Sequence, residues 1–224
     1  MQTQRLSADR STKTNQRYGD SKHIQSGQKD TVHPASSIRL LQRSILRNQK
    51  INLGCGDRPD PTFWNIDKWQ NDAGTVDEVF DLNQDWPLED ESVAHIYSSH
   101  AVEHLDDVFH FMKECHRVLR TGGELVIRCP HGNSDASLVD PTHKRVYYPE
   151  TFGAFCDGYG SKETWSLQHH KSRWNYRFVL ERTEVDVEGW VKKMPFWRKW
   201  FVPASKVLRN VIAEFWVYIR KTEV

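Results

Sequence analysis

Apolar residues along this chain fall into short, separated runs. Ile51-Asn-Leu53, Phe63-Trp-Asn-Ile66, Val79-Phe80 and the stretch His95-Ile-Tyr-Ser-Ser99 each close on glycine, acidic or other polar residues. Runs of that length bounded by polar ends predict four short strands, with the polar ends free to carry chemistry. Between Asp106 and Leu119 the spacing changes, and Val108, Phe111, Met112, Cys115, Val118 and Leu119 mark one helical face. Thr121-Gly122-Gly123 is expected to stop that helix before a strand from Glu124 to Arg128. Strand-like alternation returns over Trp174 to Val187, in Phe178 and Leu180 and then, after a phase slip, in Thr183, Val185 and Val187. It appears again over Glu214 to Arg220 in Phe215, Val217 and Ile219. Ile38, Leu41 and Ile45, with Ser36 or Ser37 as N-cap, predict a short helix before the first strand; Val207, Leu208, Val211 and Ile212 predict another before the last.

The first strand runs straight into Gly54-Cys55-Gly56-Asp57, and the second ends on Asp67. Glycine at such a turn lets the backbone bend sharply and lets a ligand reach main-chain N–H groups that a Cβ would block. A carboxylate closing the next strand can accept hydrogen bonds from both hydroxyls of a ribose. These features together predict a nucleoside-cofactor site.

With Ile51-Asn-Leu-Gly-Cys-Gly56, Trp86-Pro-Leu-Glu-Asp-Glu-Ser-Val-Ala-His-Ile-Tyr-Ser-Ser-His-Ala-Val-Glu-His-Leu105 and Lys113-Glu-Cys-His-Arg-Val-Leu-Arg-Thr-Gly-Gly-Glu-Leu-Val-Ile127 in hand, the chain resembles the Rossmann-like (class I) methyltransferases that use S-adenosylmethionine, and among them the small type 11-like members. The resemblance covers roughly residues 50 to 150. It implies an α/β fold: a mostly parallel seven-stranded sheet with helices on both faces and an antiparallel last strand. The strands around Phe178 and Phe215 would close that sheet. It also implies S-adenosylmethionine as cofactor, with the glycines under its methionine and ribose part, Asp67 on the ribose and Asp81 with Leu82 near the adenine. The cofactor residues so expected are Asn52, Gly54, Cys55, Gly56, Asp67, Asp81, Leu82, Ser99 and His100.

The chain departs from the family at two points. Only nine residues separate Leu53 from Phe63, whereas a parallel crossover normally takes about a dozen or more and usually includes a helix. Arg58 stands where many members carry a third glycine. That missing glycine, and an acid that follows sooner than the roughly 20 residues expected, also count against a nicotinamide dehydrogenase.

S-adenosylmethionine carries its own electrophile, so the protein mainly aligns the acceptor and, for a hydroxyl or acid, assists its deprotonation. Candidate bases belong at the carboxyl ends of the fourth and fifth strands, where ligands of open α/β sheets bind. His100, Glu103 and His104 follow the fourth strand, and His131 follows the fifth. Asp140-Pro-Thr-His143-Lys-Arg-Val-Tyr-Tyr148 resembles a segment after the fifth strand in many bacterial-type members, leading into a helix here near Pro149 to Cys156. Asp140, His143, His131 and His100 are the catalytic candidates, and His143, a group that normally titrates near neutrality, is the candidate base. The plainer reading stands beside it: Asp140 caps a turn, His143 bonds to backbone and Tyr147 packs. Glu103-His104 reads more readily as a helix-start network, and His169-His170 as exposed loop residues. Asp140 and His143 lack a visible third metal ligand in the sequence, so no metal is expected.

The 224 residues, 38% of them hydrophobic, suffice for one core. Residues 1–34 are polar with few aliphatics and are expected to form a disordered tail; 35–224 should form a single methyltransferase domain, with an acceptor-side or lid segment over about 132–212. A net charge of +1 argues against a general nucleic-acid binder, so none is expected as partner. Cys55, Cys115, Cys129 and Cys156 show no Cys-x-x-Cys pair and suggest reduced thiols in a cytoplasmic protein. Met194-Pro-Phe-Trp-Arg-Lys-Trp-Phe201 suits a substrate-covering lid, or a peripheral membrane contact that would make a lipid-linked saccharide acceptor more plausible. The functional expectation is methyl transfer to a small-molecule or saccharide-type acceptor. The alternative is a non-catalytic cofactor-binding or interaction module that keeps the fold.

Overall fold

Every strand expected from the apolar runs forms, and each sits where its buried residues can face a common core. The computed structural model describes residues 50–158, 177–193 and 208–223. The tail over 1–34, the helix expected after Pro34, His169-His170, Trp174 and Met194–Phe201 lie outside the described residues.

The strands are β1 (Lys50–Leu53), β2 (Trp64–Asp67), β3 (Glu78–Val79), β4 (Val93–Ser99), β5 (Leu119–Pro130), β6 (Phe178–Val187) and β7 (Ile212–Lys221). They form one sheet in the order β3-β2-β1-β4-β5-β7-β6. Neighbours from β3 through β5 pair in parallel, and β7 runs antiparallel to both β5 and β6. This is the Rossmann-like methyltransferase architecture. The order reverses between β1 and β4, so the loops after these two strands diverge and leave a crevice at their carboxyl ends.

Helix α1 (Val108–Val118) buries Val108, Phe111, Met112, Cys115 and Val118, the stripe its spacing predicts. Asp107 caps it, accepting from the Phe109 amide at 2.8 Å. The helix ends earlier than expected. Leu119 is already extended and pairs with Val93, and Gly122 (φ +78°) and Gly123 form a bulge between that pair and the His95–Glu124 pair. Gly123 has no room for a side chain, since a Cβ would lie 2.8 Å from the Arg120 carbonyl oxygen. The glycines therefore kink a strand already begun.

Short helices follow: α2 (Ala136–Val139), α3 (Pro149–Gly153) and α4 (Gly189–Lys192). The helix expected through Val211 and Ile212 is not formed at those residues. Val211 lies in a bend and Ile212 opens β7 opposite Val187, because both are buried in a small cluster with Val191 that an extended chain satisfies.

The β1–β2 crossover, Gly54 to Phe63, contains no helix. The buried side chain of Asn65 takes the place of helical hydrogen bonding. It donates to the carbonyls of Asp60 (2.9 Å) and Phe63 (3.0 Å) and accepts from the Asp60 amide at 3.0 Å. Its Oδ1 also accepts from Asn52 at 3.1 Å, tying the loop to β1. The backbone polar groups of a loop lying on the sheet thus find partners without a helix.

Candidate active site

The turn after β1 is held from two sides. The amides of Gly54 and Cys55 donate to the Ile66 carbonyl at 2.8 and 3.2 Å, and the Gly56 amide donates to Asp67 Oδ2 at 2.8 Å. Gly54 and Gly56 both have positive φ, +72° and +53°. At Gly54 a Cβ would lie 2.4 Å from the Ala101 Cβ, so the loop after β4 is packed directly against the glycine turn. At Gly56 nothing lies within 4 Å of where a Cβ would be. That open space above a left-handed glycine, beside a carboxylate at the end of the next strand, fits the ribose and methionine part of S-adenosylmethionine. Asp67 Oδ1 also accepts from the Trp69 amide at 3.3 Å, so the carboxylate is already oriented by backbone.

The other expected cofactor residues divide in role. Asp81 follows β3 and is bonded to Lys68 Nζ (2.8 Å) and to the amide and side chain of Asn83; the Lys68 contact chiefly holds its carboxyl below the usual range. Leu82 is buried, and its carbonyl accepts from the Trp86 indole at 3.3 Å. Asn52 lies inside the sheet on Asn65 and braces the crossover. The Cys55 thiol is pushed up to about 11 by burial and then by Asp67, so it stays protonated at neutral pH. Ser99 ends β4 beside His100, which adopts φ +54°. A non-glycine residue in the left-handed region is strained, and such residues gather at functional sites.

His100 sits between two carboxylates, with Nδ1 3.4 Å from Glu103 Oε1 and Nε2 3.5 Å from Glu214 Oε1. Arg128 at the end of β5 holds Glu214 through two nitrogens, at 2.6 and 2.5 Å, and stacks on Trp216. His131 is less suited to the catalytic role expected of it. It is buried, its Nδ1 accepts from the Asn133 amide at 3.2 Å, and Tyr148 and Phe215 meet it edge-on. Burial lowers its pKa, favouring a neutral ring that packs the fifth-strand loop.

Around Asp140 and His143 every element of the plainer reading is present. Asp140 Oδ1 accepts from the Thr142 amide (2.8 Å) and hydroxyl (2.6 Å), closing a turn. His143 Nδ1 lies 3.1 Å from the Ser137 carbonyl oxygen, and Tyr147 is buried against Phe152. These contacts also fix which ring nitrogen donates. A carbonyl can only accept, so Nδ1 carries the proton and the neutral ring keeps its electron pair on Nε2, 3.8 Å from Asp140 Oδ2. Asp140, His143, Lys144, Arg145 and Tyr147 help to line a cavity of about 600 Å³ between the start of α1 and the segment before α3. His104, on a 3₁₀ turn over Val102–His104, meets the His143 ring edge-on at 4.8 Å between centroids. The Lys144 amide donates to the Glu103 carbonyl at 2.8 Å, so the loops after β4 and β5 are joined here.

Sequence reasoning missed the braces: Asn65, Ala101 and the Arg128–Glu214 pair. Ala101 left only the weak signal of a small residue after a strand end. Arg128 and Glu214 are 86 residues apart, and Asn65 bonds mostly within its own crossover, where an asparagine gives no distinctive signal.

A profile of the methyltransferase domain family matches residues 65–127, from β2 through most of β5. Among solved structures, a SAM-dependent methyltransferase from Archaeoglobus fulgidus aligns with a TM-score of 0.52 at 16% identity, over 83% of this chain and 92% of that one. The YcgJ protein of Bacillus subtilis gives 0.47 at 15% identity, over 86% and 100%. A further S-adenosylmethionine-dependent methyltransferase, from Mesorhizobium loti, gives 0.44 at 15%, over 84% and 99%. No curated protein matches the chain significantly.

Proposed function

We propose that this chain, whose residues 65–127 match the methyltransferase domain family, is an S-adenosylmethionine-dependent methyltransferase of the Rossmann-like, type 11 kind, and that it methylates a small, polar, saccharide-type acceptor held by Asp140 and His143. The observation that carries this reading is the fixed tautomer of His143. Its Nδ1 proton is committed to Ser137, and an electron pair on Nε2 remains beside the Asp140 carboxylate, both groups lining the same cavity. A hydroxyl entering there meets two hydrogen-bond acceptors, with Lys144 and Arg145 in the same wall for further polar groups. Such convergent polar groups in a concave site fix the orientation of a polar ligand.

On the cofactor side, Gly54, Gly56 and Asp67 would hold the ribose and methionine part, and Leu82 would meet the adenine. The cofactor supplies the transferable methyl. His100, strained and held between Glu103 and Glu214, would shape the wall between the two sides.

The test is labelled-methyl transfer to a panel of free sugars, sugar nucleotides, lipid-linked saccharides and small metabolites. His143→Ala and Asp140→Ala are expected to keep cofactor affinity and lose transfer or raise the acceptor's KM. Full activity in both variants would assign the segment to structure. Loss of cofactor binding would place it in the other half of the crevice. A wild-type chain that binds cofactor and methylates nothing in the panel would favour the non-catalytic module.

A further inference from the structure

Three side chains from two separate loops converge beside the acceptor cavity: Glu103 and His104 from the 3₁₀ turn after β4, and His143 from the loop after β5. One potential ligand atom from each lies within 4.8 Å of the others. From this geometry we infer that Glu103, His104 and His143 bind a divalent transition-metal ion of the zinc and iron class, with Asp140 at the edge of the site.

Histidine tautomers are the first support. His143 Nδ1 donates to the Ser137 carbonyl. His104 Nδ1 lies 3.3 Å from the Thr142 carbonyl oxygen and 3.0 Å from the Thr142 hydroxyl, whose own proton goes to Asp140. Nδ1 of both rings therefore carries a proton donated to backbone, which leaves Nε2 as the nitrogen that can offer an electron pair to a metal. Metal-binding histidines are oriented in this way, the second ring nitrogen fixed by a carbonyl or carboxylate.

An orphaned carboxylate oxygen is the second. Glu103 is 2% exposed, and its Oε1 has no hydrogen-bond donor. His100 Nδ1 is 3.4 Å away but outside hydrogen-bonding geometry, and Oε2 has only the weak Cys129 thiol at 3.7 Å. A carboxylate so buried and so poorly partnered is costly unless a cation completes it. Among the described residues no lysine or arginine is paired with it: Lys144, the cation joined to this turn, pairs with the exposed Asp106.

Third, His143 Nε2 faces Asp140 Oδ2 at 3.8 Å. With the Nδ1 tautomer in place, the neutral ring and the carboxylate turn electron pairs toward each other, an arrangement that a cation or a proton between them completes. Two imidazoles and one carboxylate form a set that suits zinc and non-haem iron and leaves coordination positions open. Ligand distances of about 2.0–2.2 Å require the three side chains to close in slightly on the ion. With an ion bound, the Nε2 pair of His143 belongs to the metal, and an acceptor oxygen would meet the ion's open position in place of the imidazole; that placement rests on the reading of the acceptor side given above, whereas ion binding does not.

The experiment uses the full chain, treated with a chelator and then titrated with Zn²⁺ by calorimetry, with Co²⁺ absorption reporting the coordination. One Zn²⁺ per chain is expected, with affinity falling at least tenfold in His104→Gln and in His143→Gln, and unchanged in His110→Gln, which lies outside the cluster. Glu103→Gln can disturb the buried core, so cofactor affinity is measured in every variant to confirm folding. Failure to bind Zn²⁺ or Co²⁺ would overturn the inference and leave His100 as the partner of Glu103. Equal binding by wild type and both histidine variants would also overturn it, by placing the ion elsewhere. Neither result touches methyl transfer, which is read in the separate acceptor assay.

Discussion

The Gly56 amide donates to Asp67 Oδ2 at 2.8 Å, so the carboxylate at the end of β2 closes the turn at the end of β1. In most parallel crossovers a helix stands between two such strands; here ten residues, Gly54 to Phe63, return directly. Asp67 and the glycine turn, the residues proposed to hold the cofactor, are therefore one hydrogen-bonded unit, preorganised without a helix.

Replacing Asp67 should damage this unit and the ribose contact together. Asp67→Ala is expected to weaken binding of S-adenosylmethionine and of its demethylated product by about 1.5–3 kcal/mol, roughly one to two orders of magnitude. Titration calorimetry on the folded variant measures it, and unchanged affinity would remove Asp67 from the site.

The two glycines of the turn should separate stability from binding. Gly54→Ala places a methyl against Ala101 and keeps a left-handed backbone, adding about 1–3 kcal/mol of overpacking to about 1–2 kcal/mol of conformational cost. Gly56→Ala meets open space and carries only the second cost, but its methyl enters the region assigned to the cofactor. Gly54→Ala should show the larger fall in Tm, and Gly56→Ala should lose cofactor affinity beyond what its Tm explains. Equal melting temperatures would contradict the packing of Ala101 on Gly54.

Glu114 and Arg117 clamp the loop after β3 onto α1. Glu114 is buried, bonds Arg117 at 2.6 and 3.0 Å and accepts from the Trp86 amide at 3.0 Å; Arg117 also donates to the Trp86 and Leu88 carbonyls. Arg117→Met strands the carboxylate and should cost about 3–5 kcal/mol. The double replacement Glu114→Met with Arg117→Met should cost less than the two single changes summed, because no unpaired charge remains. Denaturant unfolding of the four proteins decides the point.

His116 should make the protein acid-sensitive. It is 8% exposed, its Nε2 accepts from the Arg177 amide, and burial, followed by Lys221, lowers its pKa from 6.5 to about 4. Between these values the unfolded chain binds the proton and the folded chain does not. Stability therefore falls as pH drops from about 6.5 to about 4 and levels off below, by on the order of 3 kcal/mol for this group. His116→Gln should remove that part of the acid loss in unfolding curves across the window. An unchanged pH dependence would show that His116 does not titrate differently on folding.

Sequence alone determined the strands, the stripe of α1 and the glycine–acid pair, because each depends on local patterning. Short apolar runs closed by turn residues favour strands, the spacing of Val108 to Val118 puts its apolar residues on one face only as a helix, and a left-handed turn favours glycine. The abbreviated β1–β2 crossover was likewise legible, from chain length alone. Sequence misjudged the places where pairing overrode punctuation. Thr121-Gly122-Gly123 looked like a helix stop, but Leu119 had already joined Val93, and Ile212 left its helical spacing to pair with Val187. Tertiary structure alone decided which histidines carry an available electron pair. His131 was turned inward onto the Asn133 amide, while His143 was fixed by Ser137 and set beside His104 and Glu103. The physical reason is that a tautomer is chosen by the carbonyl or amide that meets the ring: for His131 and His143 that partner lies a few residues away but is set by how the loop after β5 turns, and His104 meets Thr142 from the loop after the other strand only when the sheet forms.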